Sequence, residues 1–129
     1  MKNVTCVAVL EIGLALLATN IAARAAPPID KAPTKARSLT NPFAGEERAR
    51  RAGEKLFRRE CAECHGLDAA GAGKALPLKV PVVTDAPPGA IFWVLRNGSL
   101  YRGMPSFAAL PDQQRWQIVT YLQTLANKP

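Results

Sequence analysis

The stretch Cys61-Ala62-Glu63-Cys64-His65 is the most informative part of this 129-residue chain. It matches the pattern C-x-x-C-H, which predicts the attachment of a haem group. Two thiols one helical turn apart can each add to a vinyl group of the same haem, and the adjacent histidine can give the iron a nitrogen ligand. We therefore predict one haem c, bound covalently through Cys61 and Cys64, with His65 as an axial iron ligand.

Two other kinds of site use closely spaced cysteines. A redox-active or structural disulfide between Cys61 and Cys64 needs no histidine, and thioredoxin-like sites lie in a βαβ setting that this sequence lacks. A zinc site needs four ligands, and here only two cysteines, one histidine and scattered carboxylates are available. Both alternatives explain less of the motif than a haem does.

Met104 is the candidate for the second axial ligand. His65 is the only histidine of the chain, and Met104 is the only methionine besides Met1. Met104 lies between Gly103 and Pro105 in a turn-like stretch, whereas a methionine that only fills the core usually belongs to an apolar stripe. Histidine and methionine together would occupy both axial positions, which favours electron transfer.

Helical spacing of apolar residues surrounds the motif. It predicts helices over residues 44–60, 89–96 and 111–126, and the glycine- and proline-rich residues 66–88 predict irregular chain between them. No strand-like alternation persists. We therefore predict an all-α domain of three to four short helices and long loops wrapped around the haem, which would supply apolar surface to a small core.

The N-terminal part has a different composition. Residues 1–25 combine a basic start, an apolar run and small residues before a break, so we predict a signal peptide cleaved after Ala25 and an exported, periplasmic protein. A poorly ordered or buried amphipathic N-terminus is the alternative. Residues 26–42 are rich in proline and predict a flexible leader, and residues 43–129 form the predicted haem domain.

The charge of the chain bears on its partners. Cleavage would remove Lys2, Arg24 and Glu11 and take the net charge from +7 to +6. This excess of positive charge favours encounters with acidic protein surfaces, and it is compatible with a peripheral contact with an anionic membrane. Export argues against a nucleic-acid partner.

From about residue 43 to residue 127 the chain resembles class I cytochromes c, of the small monohaem kind related to cbb3-type and dehydrogenase-linked cytochromes. The resemblance rests on Gly53 and Phe57 ahead of the motif, on Gly-Met-Pro around Met104, and on the closing aromatic helix at residues 116–122. It implies the cytochrome c fold, in which the first and last helices cross near the glycine with aromatic residues, here Phe57 and Tyr121, packed at the crossing.

The resemblance also implies a proline carbonyl as the hydrogen-bond partner of His65, for which Pro77 has the usual separation and Pro81 is a rival. From the residues themselves, Arg96 and Arg102 are candidates to pair with a haem propionate, with a solvated surface arginine as the alternative. Aromatic side chains are expected either to line the haem pocket or to pack in the core: Trp93, Tyr101 and Phe107.

Together these expectations predict that the protein is a monomeric carrier of single electrons. Its redox partners would be a donor dehydrogenase or respiratory complex and an acceptor oxidase or cytochrome, and contacts with them would be small and transient. The alternative is a haem-based sensor or small-ligand binder with a labile Met104 ligand. An enzyme such as a small peroxidase fits poorly, because the single histidine is already used at the iron.

Overall fold

The computed structural model describes residues 28–73 and 75–127, and these residues form helices and loops without a β-strand. The predicted signal peptide at residues 1–25 lies outside this range. The α-helices are α1 (Thr34–Arg37), α2 (Glu47–Glu60), α3 (Ala62–His65), α4 (Pro81–Thr84), α5 (Pro88–Asn97) and α6 (Asp112–Gln123). Short 3-10 turns lie at Pro28–Lys31, Leu100–Arg102 and Leu125–Asn127.

The crossing of α2 and α6 is the centre of the fold. A Cβ atom on Gly53 would lie 1.9 Å from the carbonyl oxygen of Gln117, so only glycine allows the two backbones to approach this closely. Beside it the rings of Phe57 and Tyr121 pack with centroids 5.3 Å apart, and Phe57 is fully buried. The helix crossing expected at Gly53 is confirmed.

Helix α5 packs against α6 on one side. The rings of Phe92 and Trp116 stack with centroids 4.1 Å apart and an interplanar angle of 18°. Ile91 and Leu95 of α5 are buried in the same hydrophobic cluster as Ile118 of α6. Because α2 and α5 both pack on α6, the C-terminal helix joins the parts of the domain that precede and follow the long loop.

The N-terminal segment covers another part of α5. Ile29 and Ala32 belong to the hydrophobic core cluster, and a Cβ on Gly89 would lie 1.9 Å from the carbonyl oxygen of Ala36. Asn41 is buried and donates from Nδ2 to Thr120 Oγ1 at 2.9 Å. The flexible leader predicted at residues 26–42 is therefore wrong for residues 28–42, because small and apolar side chains scattered among the prolines find partners that no local periodicity reveals.

The predicted helix boundaries shift by a few residues. Residues 42–45 form turns, so α2 begins at Glu47 and not at residue 44. The region 66–88, predicted to be irregular, contains the single turn α4, whose first residue is Pro81. Proline suits the first turn of a helix because its fixed φ is already helical and its missing N–H would have no partner there.

Candidate haem-binding site

Helix α2 delivers the cysteine motif to the core. Its backbone bonding ends at Cys61, whose N–H donates to the carbonyl of Phe57 at 2.9 Å, and the single turn α3 then carries Cys64 and His65. Cys61 is buried and Cys64 is exposed, and both are free thiols. Burial, with a smaller effect of Glu60, raises the pKa of the Cys61 thiol to about 12. The thiol of Cys61 is therefore neutral at physiological pH.

The chain after His65 folds back over it. Gly66, with a φ of +78°, ends α3, and the N–H of Gly71 donates to the carbonyl of His65 at 2.9 Å. The N–H of Leu78 then donates to the carbonyl of Ala69 at 2.8 Å. These bonds bring the irregular segment that follows back to the imidazole of His65.

The carbonyl that meets the imidazole belongs to Leu76. His65 Nδ1 lies 2.9 Å from the carbonyl oxygen of Leu76, and because a carbonyl only accepts, Nδ1 must carry the proton. The prediction that Pro77, or its rival Pro81, supplies this carbonyl is wrong: the acceptor is the residue that directly precedes Pro77. The bond between Leu78 and Ala69 sets this register, which sequence spacing alone does not reveal.

Met104 lies on a short loop that is closed at its base. The N–H of Ser99 donates to the carbonyl of Met104 at 2.8 Å, and the N–H of Met104 donates to the carbonyl of Ser99 at 3.1 Å. Only glycine fits at position 98, where the two ends of the loop meet, because φ is +69° and a Cβ there would lie 2.6 Å from the carbonyl carbon of Pro105. Met104 is half-buried and packs against the hydrophobic core cluster.

The remaining predicted site residues lie at different depths. Trp93 and Phe107 are half-buried against the core cluster, whereas Tyr101 is exposed. The Tyr101 ring is approached by Lys31, whose Nζ is 4.1 Å from its centroid, and by the guanidinium of Arg102 at 5.6 Å. Arg102 is thus in contact with an aromatic ring, and its pairing with a propionate stays a prediction.

Three groups escaped the sequence analysis. They are the Leu76 carbonyl, the buried Ala69 with its positive φ of 60°, and the buried Arg115 of α6. Only Arg115 left a usable signal, because it lies four residues before Val119 in a helical stripe that is otherwise apolar. Within the part of the chain that the structure describes, no three His, Cys, Asp or Glu side chains are grouped as ligands of a metal ion.

Comparison with known proteins identifies the family. The sequence model described as cytochrome c oxidase, cbb3-type, subunit III matches residues 48–122, which is more than half of the chain. The chain belongs to this cytochrome c family. The matched range includes the motif, Met104 and both crossing helices, so the resemblance noted from the sequence is confirmed.

A solved structure agrees with the cytochrome c fold. The chain is similar to cytochrome cL from the marine methylotrophic bacterium Methylophaga aminisulfidivorans, with a TM-score of 0.55 and 22% sequence identity. The similarity covers 64% of this chain and 56% of that chain, so this protein spans little more than half the length of the matched cytochrome. A search of curated proteins gave no significant match.

The residues of the site fit the haem c that the cytochrome c family implies. Two free thiols lie within one turn of a histidine whose Nδ1 is held by a carbonyl, which leaves Nε2 as its metal-binding atom. This is the usual arrangement of a ligating histidine, because the second hydrogen bond fixes both the tautomer and the orientation of the ring.

Proposed function

We propose that this cytochrome is a monohaem carrier of single electrons between periplasmic redox proteins. The observation that carries the proposal is the hydrogen bond between His65 Nδ1 and the Leu76 carbonyl. His65 directly follows Cys64 in the attachment motif. That bond alone fixes the orientation of the imidazole and leaves Nε2 available to a metal. Membership of a family of electron-transfer proteins supports the same conclusion.

Each residue has a defined task in this proposal. Bound haem would supply an iron that alternates between the ferrous and ferric states. Cys61 and Cys64 would hold the group covalently, His65 would ligate through Nε2, and Met104 would supply the thioether ligand. Because the segment that follows His65 and the loop that carries Met104 are both closed by backbone hydrogen bonds, they can keep their geometry while the charge at the site changes.

Location and partners belong to the same proposal. An N-terminal signal peptide at residues 1–25 would take the chain to the periplasm, where covalent haem proteins of this kind mature. None of the helices within residues 28–73 and 75–127 has the length and apolarity to cross a bilayer. The description of the family names an oxidase and thus supports a terminal oxidase as one acceptor, with a quinoprotein dehydrogenase as a candidate donor.

The test begins with a pyridine haemochrome spectrum of protein produced with the cytochrome c maturation machinery. We expect the spectrum of a haem attached by two thioether bonds and a stoichiometry of one haem per chain. Replacement of both Cys61 and Cys64 by serine should abolish covalent attachment. Haem that stays extractable from the wild-type protein in acid acetone would contradict the proposal.

The second ligand is tested by Met104→Ala. Ferric protein should lose the weak long-wavelength band of thioether-to-iron charge transfer, and the ferrous variant should bind carbon monoxide. Leu100→Ala is the matched control, because Leu100 lies on the same loop but is 78% exposed, so the band should stay. A wild-type ferrous protein that already binds carbon monoxide at neutral pH would favour the sensor instead.

A further inference from the structure

Arg115 is a buried cation that holds the loop following Met104. Its side chain is only 4% exposed, and Nη1 donates to the carbonyl oxygens of Phe107 at 3.0 Å and Ala108 at 2.9 Å. The same nitrogen also donates to the carbonyl of Leu110, and Nη2 pairs with Asp112. One guanidinium therefore binds three carbonyls of a single loop.

The chemistry of the loop explains why an arginine lies there. Residues 105–111 contain neither helix nor strand, so they form few backbone hydrogen bonds among themselves, one of them from the N–H of Leu110 to the carbonyl of Phe107 at 3.1 Å. A guanidinium offers five N–H donors in a planar fork and no acceptor, which suits a cluster of carbonyls better than any other side chain does. The guanidinium carbon also lies 5.1 Å from the centroid of the Phe92 ring, which contributes a cation–π contact.

Helix α5 holds the same loop from its other side. The N–H of Phe107 donates to the carbonyl of Leu95 at 2.9 Å, and the hydroxyl of Ser106 donates to the carbonyl of Arg96. Arg115 belongs to α6, so the loop is tied to two different helices. A loop held only by α5 could swing about the Phe107 contact.

Met104 is close to these ties along the chain. Only Pro105 and Ser106 separate Met104 from Phe107, and three residues span at most about 10 Å. The anchored Phe107 therefore limits how far the backbone of Met104 can move, and the pair of hydrogen bonds between Ser99 and Met104 limits it from the other side.

We propose that Arg115 is a positioning residue that keeps Met104 in place as an iron ligand. This inference rests on the proposed function, since it supposes that Met104 is the sixth ligand. In this role Arg115 acts not on the haem or the iron but through the carbonyls of residues 107, 108 and 110. Its effect is to lower the population of molecules in which the methionine has left the iron.

The experiment measures how fast imidazole replaces methionine in the ferric holoprotein. Imidazole can bind the iron only when the thioether has left, so its binding rate reports that population. Arg115→Met keeps a flexible, unbranched side chain but removes every hydrogen-bond donor, and we expect imidazole to bind about tenfold faster. Arg115→Lys keeps the charge with fewer donors and should give a smaller increase.

Thr120→Val is the matched control for general loss of stability. Thr120 is a buried polar residue of the same helix, but it binds Asn41 and the Trp116 carbonyl and not the loop after Met104. Its imidazole binding rate should equal that of the wild type. Thermal unfolding of each ferric holoprotein allows the variants to be compared at equal distance from their melting temperatures.

The outcomes separate the two proposals. If the wild type shows the thioether band but Arg115→Met and Arg115→Lys bind imidazole no faster than Thr120→Val, the positioning role is wrong and the electron-carrier proposal stands. If Arg115→Met does not fold, Arg115→Lys alone decides. If the wild type lacks the thioether band, the ligand assignment fails, and the role of Arg115 fails with it.

Discussion

Single residues in this cytochrome do their work through backbone geometry as much as through side-chain chemistry. The Leu76 carbonyl orients His65, and the missing Cβ of Gly98 allows the Met104 loop to close. Ala69 adopts a φ of 60°, which costs an L-residue about 1 kcal/mol, while its carbonyl accepts the N–H of Leu78. This small strain accompanies the bond that closes the segment carrying the Leu76 carbonyl.

Tyr121 allows a prediction about pH. Burial at the helix crossing, with a smaller effect of Glu54, raises the pKa of its phenol above the usual 10. The folded chain therefore keeps this proton in a pH range above 10 where the unfolded chain loses it, so the contribution of Tyr121 to stability falls as the pH rises through that range.

The measurement uses Tyr101→Phe, which leaves Tyr121 as the only tyrosine of the chain. NMR of ferrous protein labelled with ¹³C at the tyrosine Cζ should give a titration midpoint above 10. The converse variant, Tyr121→Phe, is the control and reports the exposed Tyr101 alone. A midpoint for Tyr121 at or below 10 would show that its burial does not disfavour the ionised phenol.

At the scale of elements, α2 and α6 depend on one close approach. The outer face of α2 adds ion pairs such as Arg50 with Glu47 and Glu54. Arg50 lowers the pKa of Glu47 through a hydrogen bond, but both groups are solvated, and exposed pairs of this kind contribute little to stability. The apolar face decides how α2 packs, and Gly53 is its critical position.

Gly53→Ala is expected to destabilise the ferric holoprotein by about 3 kcal/mol. The new methyl group would lie 1.9 Å from the Gln117 carbonyl oxygen, so the helices must separate, and this strain outweighs the gain of about 1 kcal/mol in helix propensity. Guanidinium unfolding followed by circular dichroism measures the loss. Lys55→Ala, at an exposed position of α2, is the control and should change stability by less than about 0.5 kcal/mol.

At the scale of the whole molecule, the dominant property is positive charge. The chain carries a net charge of +7, and its cations are concentrated on α2 and in the segment before it. Charge of one sign attracts oppositely charged partners over distances of about one Debye length, roughly 10 Å at 0.1 M salt. This affects the rate of encounter more than the strength of the final contact.

The charge predicts how electron transfer depends on salt. Reduction of the ferric protein by an anionic reagent such as ascorbate should slow as ionic strength rises, because screening weakens the attraction. Reduction by hexaammineruthenium(II), a cation, should become faster under the same conditions. Stopped-flow absorbance of the haem measures both rates, and equal salt dependence for the two reagents would contradict electrostatic steering.

Much of the molecule could be predicted from sequence, because the decisive signals are local or strictly periodic. Cys61, Cys64 and His65 lie within five residues, so their chemistry is visible without a fold. The apolar stripes of α2 and α6 repeat at helical spacing and predict both helices. The family resemblance predicts Gly53 and Tyr121 as crossing residues, and the structure confirms their contact.

What the tertiary structure decided depends on contacts between residues far apart in the chain. Residues 28–42 join the core because Ala36 meets Gly89 and Asn41 meets Thr120, and no local pattern encodes such pairs. The family resemblance predicts the carbonyl of Pro77, or of its rival Pro81, as the partner of His65, but the structure places the Leu76 carbonyl there, next to the backbone bond between Leu78 and Ala69. The motif by itself predicts the haem chemistry, whereas the register of the loops, set by hydrogen bonds formed only on folding, decides which carbonyl holds the imidazole of His65.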